Sequence, residues 1–583
     1  LFFHPSAFRI YLLNLFLRFC ETAERVGATT KRLEKAAALK DYFETLSDED
    51  LVLAARFFAG QAFSLHDQRT TNIGGAALFN AISAATTVDV EELKRLTVVS
   101  GDIGETAAKI FQSAIPAGYS LRDVTNFIET VSETTGTKAK TALLIDFLKP
   151  ANNLEAKYII KILSGDLRIG LLEGAVEDAI ARMFNAPVGK VQWTNMLTGD
   201  IGETALLFRL GKTDAAKMRF FHPIKFMLAS ASDLDDVAKR MLDSFVVEDK
   251  FDGIRAQAHI ASKSVPGALA TGLSANKNPV ANAPGTDSSQ IRVALFSRTL
   301  DEITNSFPEL VEPLSKLIEN QPGGVILDGE ILPVKDDRIL PFQDLQKRLG
   351  RKTVSEEMLA QTPTAFVAYD CLFGDGRILI NEPFAARRKF LESLSFDNQF
   401  ARLTESKIFT EVVKLDEEFD RARERGNEGL MVKNPSSPYK PGKRGRDWLK
   451  IKRALATLDV VVTSVEVGNG RRSRFLSDYT FAVRASETDA TLLNVGKAYS
   501  GLTDAEIQEL SDWFTAHTLQ EFAHGKVRIV EPRIVLEVTF DRVQPSTRHR
   551  SGYALRFPRI LRIRTDKPVE EIDTLETVKR LSE

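Results

Sequence analysis

The residues richest in chemistry are Lys250-Phe251-Asp252-Gly253-Ile254-Arg255, which follow the apolar run Phe245-Val246-Val247-Glu248-Asp249. An apolar run ending on a lysine and then Asp-Gly predicts a strand that stops abruptly and sets the lysine at the mouth of a cavity. A lysine there is a candidate nucleophile. With a reference pKa near 10.4, about one lysine in a thousand is a free amine at neutral pH, so nucleophilic use calls for desolvation or nearby positive charge. Arg255 is close enough in sequence to supply some of that charge. The same six residues also fit an edge-strand lysine followed by an ordinary Asp-Gly turn.

Further along, Phe296-Ser297-Arg298 closes an alternating strand, and Val325-Ile326-Leu327-Asp328-Gly329-Glu330 reads as a buried strand ending in carboxylates. Phe366-Val367-Ala368-Tyr369-Asp370 offers a ring, and Glu428-Gly429-Leu430-Met431-Val432-Lys433 is short, apolar and charged at both ends. Between Tyr439 and Arg453 seven basic residues, Arg446 among them, face one acid, Asp447. In Trp448-Leu449-Lys450-Ile451-Lys452 strand alternation puts both lysines on one face, which fits a solvated basic surface or the basic wall of a half-buried cleft. The chain nears its end on Arg556-Phe557-Pro558-Arg559-Ile560-Leu561-Arg562-Ile563-Arg564-Thr565-Asp566-Lys567, whose alternation sets Arg562 and Arg564 on one side. That suits a phosphate surface, or simply a soluble edge strand.

Three or four domains of ordinary size can carry these segments in 583 residues. The apolar and charged fractions suit a globular protein, and a net charge of -2 makes any basic character local. Cys20 and Cys371 are too few and too far apart for a disulfide framework or a structural zinc, which fits a reducing compartment. Residues 1–17 are largely apolar but lack the charged start and small-residue cleavage site of a signal peptide, and are marginal in length for a membrane span. We read them as an upstream extension or a misplaced start, with the folded part beginning near Arg18.

Apolar residues at three- and four-residue spacing, such as Phe19, Ala23, Val26 and Leu33, Ala36, Leu39, predict an all-helical domain over 18–220. Inside it, Gly-Asp-Ile-Gly-Glu-Thr-Ala occurs at 101–107 and again at 199–205. Identity over seven residues predicts two copies of one helical unit. Each copy is a good helix start, and Gly101, Gly104, Gly199 and Gly202 could also offer backbone N–H groups to phosphates on the two strands of a duplex. A third turn, 164–170, adds Arg168. Phe221 to Ala229 breaks the pattern with Pro223 and serves as the linker into a mixed strand-and-helix domain, 221–453. Within that domain, 262–290 is rich in Ala, Gly, Ser, Asn and Pro and reads as a flexible hairpin insertion. From 454 to 583, short strands with one helix near Thr503 to His517 predict a small barrel of the OB type.

In this order, K-x-D-G-x-R, S-R, D-G-E, A-Y-D, E-G-L-M-V-K, W-L-K-I-K and R-F-P-R-x-x-R-x-R-x-D-K resemble the motif series of the ATP-dependent DNA ligases, within the covalent nucleotidyltransferases. The helical region is similar to the amino-terminal DNA-binding domain of replicative ligases. The resemblance implies a multidomain fold: an all-α DNA-binding domain, an α+β adenylation domain and a C-terminal OB-fold. It implies that Lys250 attacks the α-phosphate of ATP and carries AMP, which passes to the 5′-phosphate of a nick before the strand is sealed. It places Glu248 at the adenine amino edge and Tyr369 on the base, where the family commonly has Phe. It sets Arg255, Arg298, Arg446, Lys450 and Lys452 on ribose and phosphates, and Glu330 and Glu428 around ribose and Mg2+. Arg556, Arg559, Arg562, Arg564, Asp566 and Lys567 match the segment that orients pyrophosphate. Phe226 stands where the family usually has proline, a departure expected to touch no chemistry. The neighbouring readings are an RNA ligase or capping-type nucleotidyltransferase, and a nucleic-acid-binding protein with an inactive site. NAD-dependent ligases are disfavoured, because two cysteines cannot build their four-cysteine zinc site. The expected partner is nicked duplex DNA, clamped by the three domains, for a monomer in the cytoplasm, at the nucleoid if prokaryotic, with no membrane contact. A sliding-clamp partner is left open.

Overall fold

A computed structural model of the chain describes residues 16–582 apart from 172, 242, 263–290, 320–322, 336–337, 341, 347, 349–353 and 452–455. The hairpin insertion and Lys452 therefore lie outside the described residues, as do residues 1–15. Phe16 and Leu17 do not belong to an extension. They open the helix Phe16–Gly27, Phe16 is fully buried, and its N–H donates to the Tyr119 carbonyl at 2.6 Å.

By internal contacts the chain forms two compact units: 1–38 with 70–171 and 454–583, and 39–69 with 172–453. In the first, apolar residues at helical spacing (Phe16, Phe19, Cys20, Ala23, Val26) bury one face of their helix. Helix Asn153–Leu163 runs through its middle with most residues buried, started by a reciprocal cap in which Asn152 and Glu155 bond each other's backbone N–H. Leu33 departs from the expected stripe: it is exposed while Ala36 and Leu39 are buried. The carboxy-terminal part of this unit is β-rich, as expected. Strand Thr457–Val467 pairs with Leu476–Arg484 on one side and, on the other, with Val527–Val530 and Val535–Thr539 in succession. Helix Asp504–Ala516, capped by Thr503 and Glu506, packs on that core through Ile507, Leu510 and Phe514.

The two copies of the repeated heptad fold alike. Asp102 caps helix Ile103–Ile110, and Asp200 caps Ile201–Arg209. Gly101 and Gly199 are the left-handed residues that end the preceding helices, with φ of +70° and +65°. Gly104 and Gly202 let helices approach closely. A Cβ on Gly202 would stand 2.5 Å from the Val52 carbonyl oxygen, and one on Gly104 2.7 Å from Lys161 Cγ.

In the second unit, two sheets flank the expected cleft. One has the order Leu228–Ser232, Arg444–Ile451, Gly429–Lys433, Phe245–Lys250, Ser406–Phe409. The other is built on Ile254–Ser262, Ile291–Ser297, Val325–Lys335 and Thr364–Gly374, over a core that includes Leu295, Leu327 and Phe366. Asp252-Gly253 is thus no hairpin turn: the strands on either side of it belong to different sheets. The chain crosses between sheets just after Lys250. Gly253 permits the crossing, since a Cβ there would meet the Ile331 carbonyl oxygen at 2.5 Å. The linker is docked along the strand Ile254–Ser262. Phe221, at a left-handed φ of +66°, donates its N–H to His259 Nδ1, and the Gln257 amide exchanges two hydrogen bonds with the backbone of Ile224.

Candidate active site

Lys250 ends its strand directly opposite Gly429, and the Glu428 N–H donates to the Lys250 carbonyl at 2.7 Å. That pairing brings the Glu428 carboxylate onto Lys250 Nζ in a close ion pair. Around the lysine lies a cleft lined among others by Glu248, Arg255, Arg298, Glu330, Tyr369 and Lys450. The cleft gathers a lysine amine, carboxylates, an aromatic ring and several cations from strands far apart in sequence.

Arg255 is fixed rather than free. Its Nε and Nη2 donate to the two oxygens of Asp328 at 3.1 and 2.7 Å, and Nη1 donates to the Met227 carbonyl at 2.7 Å. Its guanidinium stands over the rings of Phe226 at 4.8 Å and Tyr369 at 5.7 Å. Phe226 was expected to touch no chemistry; the contact with Arg255 brings it to the edge of the site. Asp328, fully buried, also accepts from the Tyr439 hydroxyl at 2.7 Å, and that hydroxyl accepts from the Met227 N–H. Asp328 is visible in the sequence as the first residue of Asp-Gly-Glu, yet its role as anchor is not.

The Glu330 side chain carries no hydrogen bond to a described residue, although its backbone lies within the strand Val325–Lys335. Burial pushes its carboxyl up to about 8, against the opposing pull of the Arg255 and Lys250 charges, and Asp328 and Glu428 add to the rise. A carboxyl so placed, with a second carboxylate close enough to act on it, is a fitting set of hard oxygen donors for a divalent cation. Among the described residues no three His, Cys, Asp or Glu side chains could hold a metal by themselves.

Glu248 is buried, and Lys433 Nζ pairs with it at 2.6 Å. Lys433 is fully buried and lines the cleft, a placement that the sequence motif holds but does not explain. Arg446 is not brought to the cleft: it is exposed and its charge acts on Asp236. Arg444, two residues earlier on the same strand, lines the cleft instead, because a bulge between Leu228 and Ser230 shifts the register of that strand against its neighbour.

The remaining candidates lie in the other unit or in the helical segments. Arg562 is paired with Glu537 at 2.6 Å; Arg564 is held by Asp459 and Asp566, and Lys567 by Asp459. The ring of Phe557 lies under Arg556, and Arg559 is exposed. Arg168 donates to the Gly101 carbonyl at 2.7 Å and pairs with Asp102, so it ties the 164–170 turn to the first heptad. Gly101, Gly104, Gly199 and Gly202 have the cap and packing roles given above.

Three family models match the chain: "DNA ligase N terminus" over residues 15–181, "ATP dependent DNA ligase domain" over 286–452 and "ATP dependent DNA ligase C terminal region" over 472–567. The chain is 42% identical to a "Probable DNA ligase" of Koribacter versatilis over 96% of this chain and 95% of that one. It is 33% identical to a "DNA ligase" of Archaeoglobus fulgidus, covering 97% of each. A solved structure titled "Pmar-Lig_PreS3" superposes with a TM-score of 0.60 at 17% identity, over 94% of this chain and 99% of that one, a likeness of fold alone.

Proposed function

The chain belongs to the ATP-dependent DNA ligase family, and from that premise we propose that it seals nicks in duplex DNA through a lysyl-AMP intermediate. The observation that carries this reading is Lys250 in a cleft lined by carboxylates, cations and an aromatic ring.

Three displacements at phosphorus make up the reaction. First, Lys250 Nζ gives up a proton and its contact with Glu428 and attacks the α-phosphorus of ATP. An N–P bond forms, the bond to the bridging oxygen breaks, and pyrophosphate leaves. Next, an oxygen of the 5′-phosphate at the nick attacks the same phosphorus, the N–P bond breaks and the lysine amine is restored. Last, the 3′-hydroxyl attacks the 5′-phosphorus, loses its proton and expels AMP, leaving a phosphodiester.

Each residue acts on charge or position. The cationic groups of Arg298, Arg444 and Lys450 line the space where negative charge collects during transfer, and fixed cations in a half-buried site stabilise that charge without reorganising. Arg255, braced by Asp328, presents a rigid cation beside Tyr369, the ring on which the base would stack. Glu248 offers an acceptor to the adenine amino group. Glu330 and Glu428 would hold a magnesium ion, which when bound neutralises phosphate charge. Phosphate contacts for the duplex are assigned to the helical and β-rich domains. The expected form is a monomer working in the cytoplasm; among the described residues no helix is long and apolar enough to cross a membrane.

The test is the denatured mass of the protein after incubation with Mg2+ and ATP, GTP or NAD+ in turn, followed by nicked duplex DNA. We expect an AMP-sized adduct from ATP that is lost as the strand is joined. Lys250→Ala should give no adduct, bind nicked DNA normally and still seal a nick supplied already adenylylated. Labelling of that variant by ATP would refute the role of Lys250. A GMP adduct, or release only by RNA ends, would move the protein to the capping enzymes or RNA ligases.

A further inference from the structure

Glu248 is held by two side chains to which no role attaches. On one side its cross-strand partner is Ser406, whose Oγ donates to Glu248 Oε1 at 2.7 Å. On the other its partner is Met431; Lys433, two residues on and so on the same face, pairs with Oε2 at 2.6 Å. The third group facing the carboxylate is Arg388, whose Nη1 stands 3.7 Å from Oε1 and has no hydrogen-bond partner among the described residues.

Lys433 is itself immobilised. Its ammonium lies 4.3, 4.6 and 4.8 Å from the ring centres of Trp448, Phe384 and Tyr369, and donates to the Tyr369 carbonyl at 3.3 Å. One lysine therefore links the residue at the base edge to the residue under the base face.

We propose that Ser406 and Lys433 are positioning residues for base selection: they lock the Glu248 carboxylate so that its remaining acceptor directions meet the 6-amino group of adenine. A carboxylate has about two acceptor directions on each oxygen. With one on each taken by Ser406 and Lys433, the other is left for the ligand. The fixed carboxylate favours a 6-amino donor and repels the 6-oxo acceptor of guanine. Without it, the donors that faced the carboxylate, the Lys433 ammonium and Arg388 Nη1, would be open to that 6-oxo group. The inference rests on the reading of Glu248 as the base-edge residue.

The experiment compares kcat/KM for lysyl-nucleotide formation with ATP, with purine riboside triphosphate, which lacks the 6-amino group, and with GTP. It uses the full chain and its Ser406→Ala, Lys433→Met and Glu248→Gln variants. Losing one hydrogen bond to a charged group is expected to lower the ATP rate of Ser406→Ala about tenfold and to leave the purine riboside rate unchanged, so the preference for ATP shrinks by that factor. Lys433→Met should shrink the preference further. If Ser406→Ala slows both nucleotides equally, or slows neither, the positioning role is overturned, whatever the folding of Lys433→Met. If Glu248→Gln keeps the full preference for ATP, the base-edge reading beneath the inference falls and the inference falls with it. Loss of preference in Glu248→Gln but not in Ser406→Ala would overturn the inference alone.

Discussion

Arg255 shows how much of the site is decided one residue at a time. A buried guanidinium is tolerable only with its donors satisfied, and Asp328 with the Met227 carbonyl satisfies three of them. Asp328→Ala would leave Arg255 as a buried charge without its partner, and we expect a loss of about 3–5 kcal/mol in unfolding free energy together with a sharp fall in self-adenylylation. Phe226→Leu keeps apolar bulk and removes the ring face. Its expected cost is smaller, about 0.5–2 kcal/mol, with a raised KM for ATP and little change in sealing of pre-adenylylated nicks. Denaturant unfolding beside adenylylation kinetics checks both, and a Phe226→Leu protein with unchanged KM would remove Phe226 from the site. Lys250, Glu330 and Tyr369 were legible as chemistry-bearing residues because each stands out at a strand end or within an apolar run. Ser406 carries no such mark, since nothing in its local sequence says which strand lies beside it.

At the level of elements, the linker is fastened by a histidine held neutral. His259 Nδ1 accepts from the Phe221 N–H, so its proton sits on Nε2, which donates to Gln257 Oε1 at 2.8 Å. Burial pulls His259 down to about 3, and it does the same to His222, where the nearby charge of His66 adds to the fall. The unfolded chain takes up these protons near pH 6.5 and the native protein does not. The stability they contribute is therefore complete above pH 6.5 and is lost as pH falls from there towards 3, by about 1.4 kcal/mol per pH unit for each histidine. Unfolding measured from pH 7.5 to 5 should show that slope, and His259→Asn, although less stable at pH 7.5, should show a shallower one. Equal slopes would exclude His259 as a source of the acid lability.

The repeated heptad makes a second prediction at this level. Gly202→Ala drives a methyl into backbone, the Val52 carbonyl, whereas in Gly104→Ala the nearest atom belongs to a flexible lysine side chain. We expect about 1–3 kcal/mol of destabilisation for Gly202→Ala and less for Gly104→Ala by thermal unfolding. The reverse order would mean that these two neighbours do not set the cost of the added methyl. Both glycines were legible as special in the sequence, but helix packing and phosphate binding call for the same residue, and only the neighbours Val52 and Lys161 tell them apart.

For the whole molecule, a net charge of -2 supplies no attraction for DNA, so binding has to come from local groups that neutralise phosphates. Affinity for nicked duplex should then fall steeply as salt rises, with a log–log slope of roughly -0.9 per phosphate contact, and should vary little with base sequence. A flat salt response would contradict phosphate-dominated binding. Several basic residues near the carboxy terminus already have partners: Arg562 is paired with Glu537, and Arg564 and Lys567 with Asp459. The number of basic residues in a motif therefore overstates the number available to DNA or pyrophosphate.

The sequence by itself determined the order of segments, helical, mixed, then β-rich, because hydrophobic periodicity and turn residues are local properties. It also determined the family and singled out Lys250 as the candidate nucleophile, because the motif series stands as short runs in fixed order. Only the tertiary structure decided that Asp252-Gly253 is a crossing between sheets, that Arg444 rather than Arg446 reaches the cleft, that Phe16 is core, and that Asp328 bonds Arg255 while Lys433 and Ser406 bond Glu248. Each of these depends on which strand lies beside which and in what register. Register is set by long-range packing, and a shift of one residue turns a side chain to the opposite face.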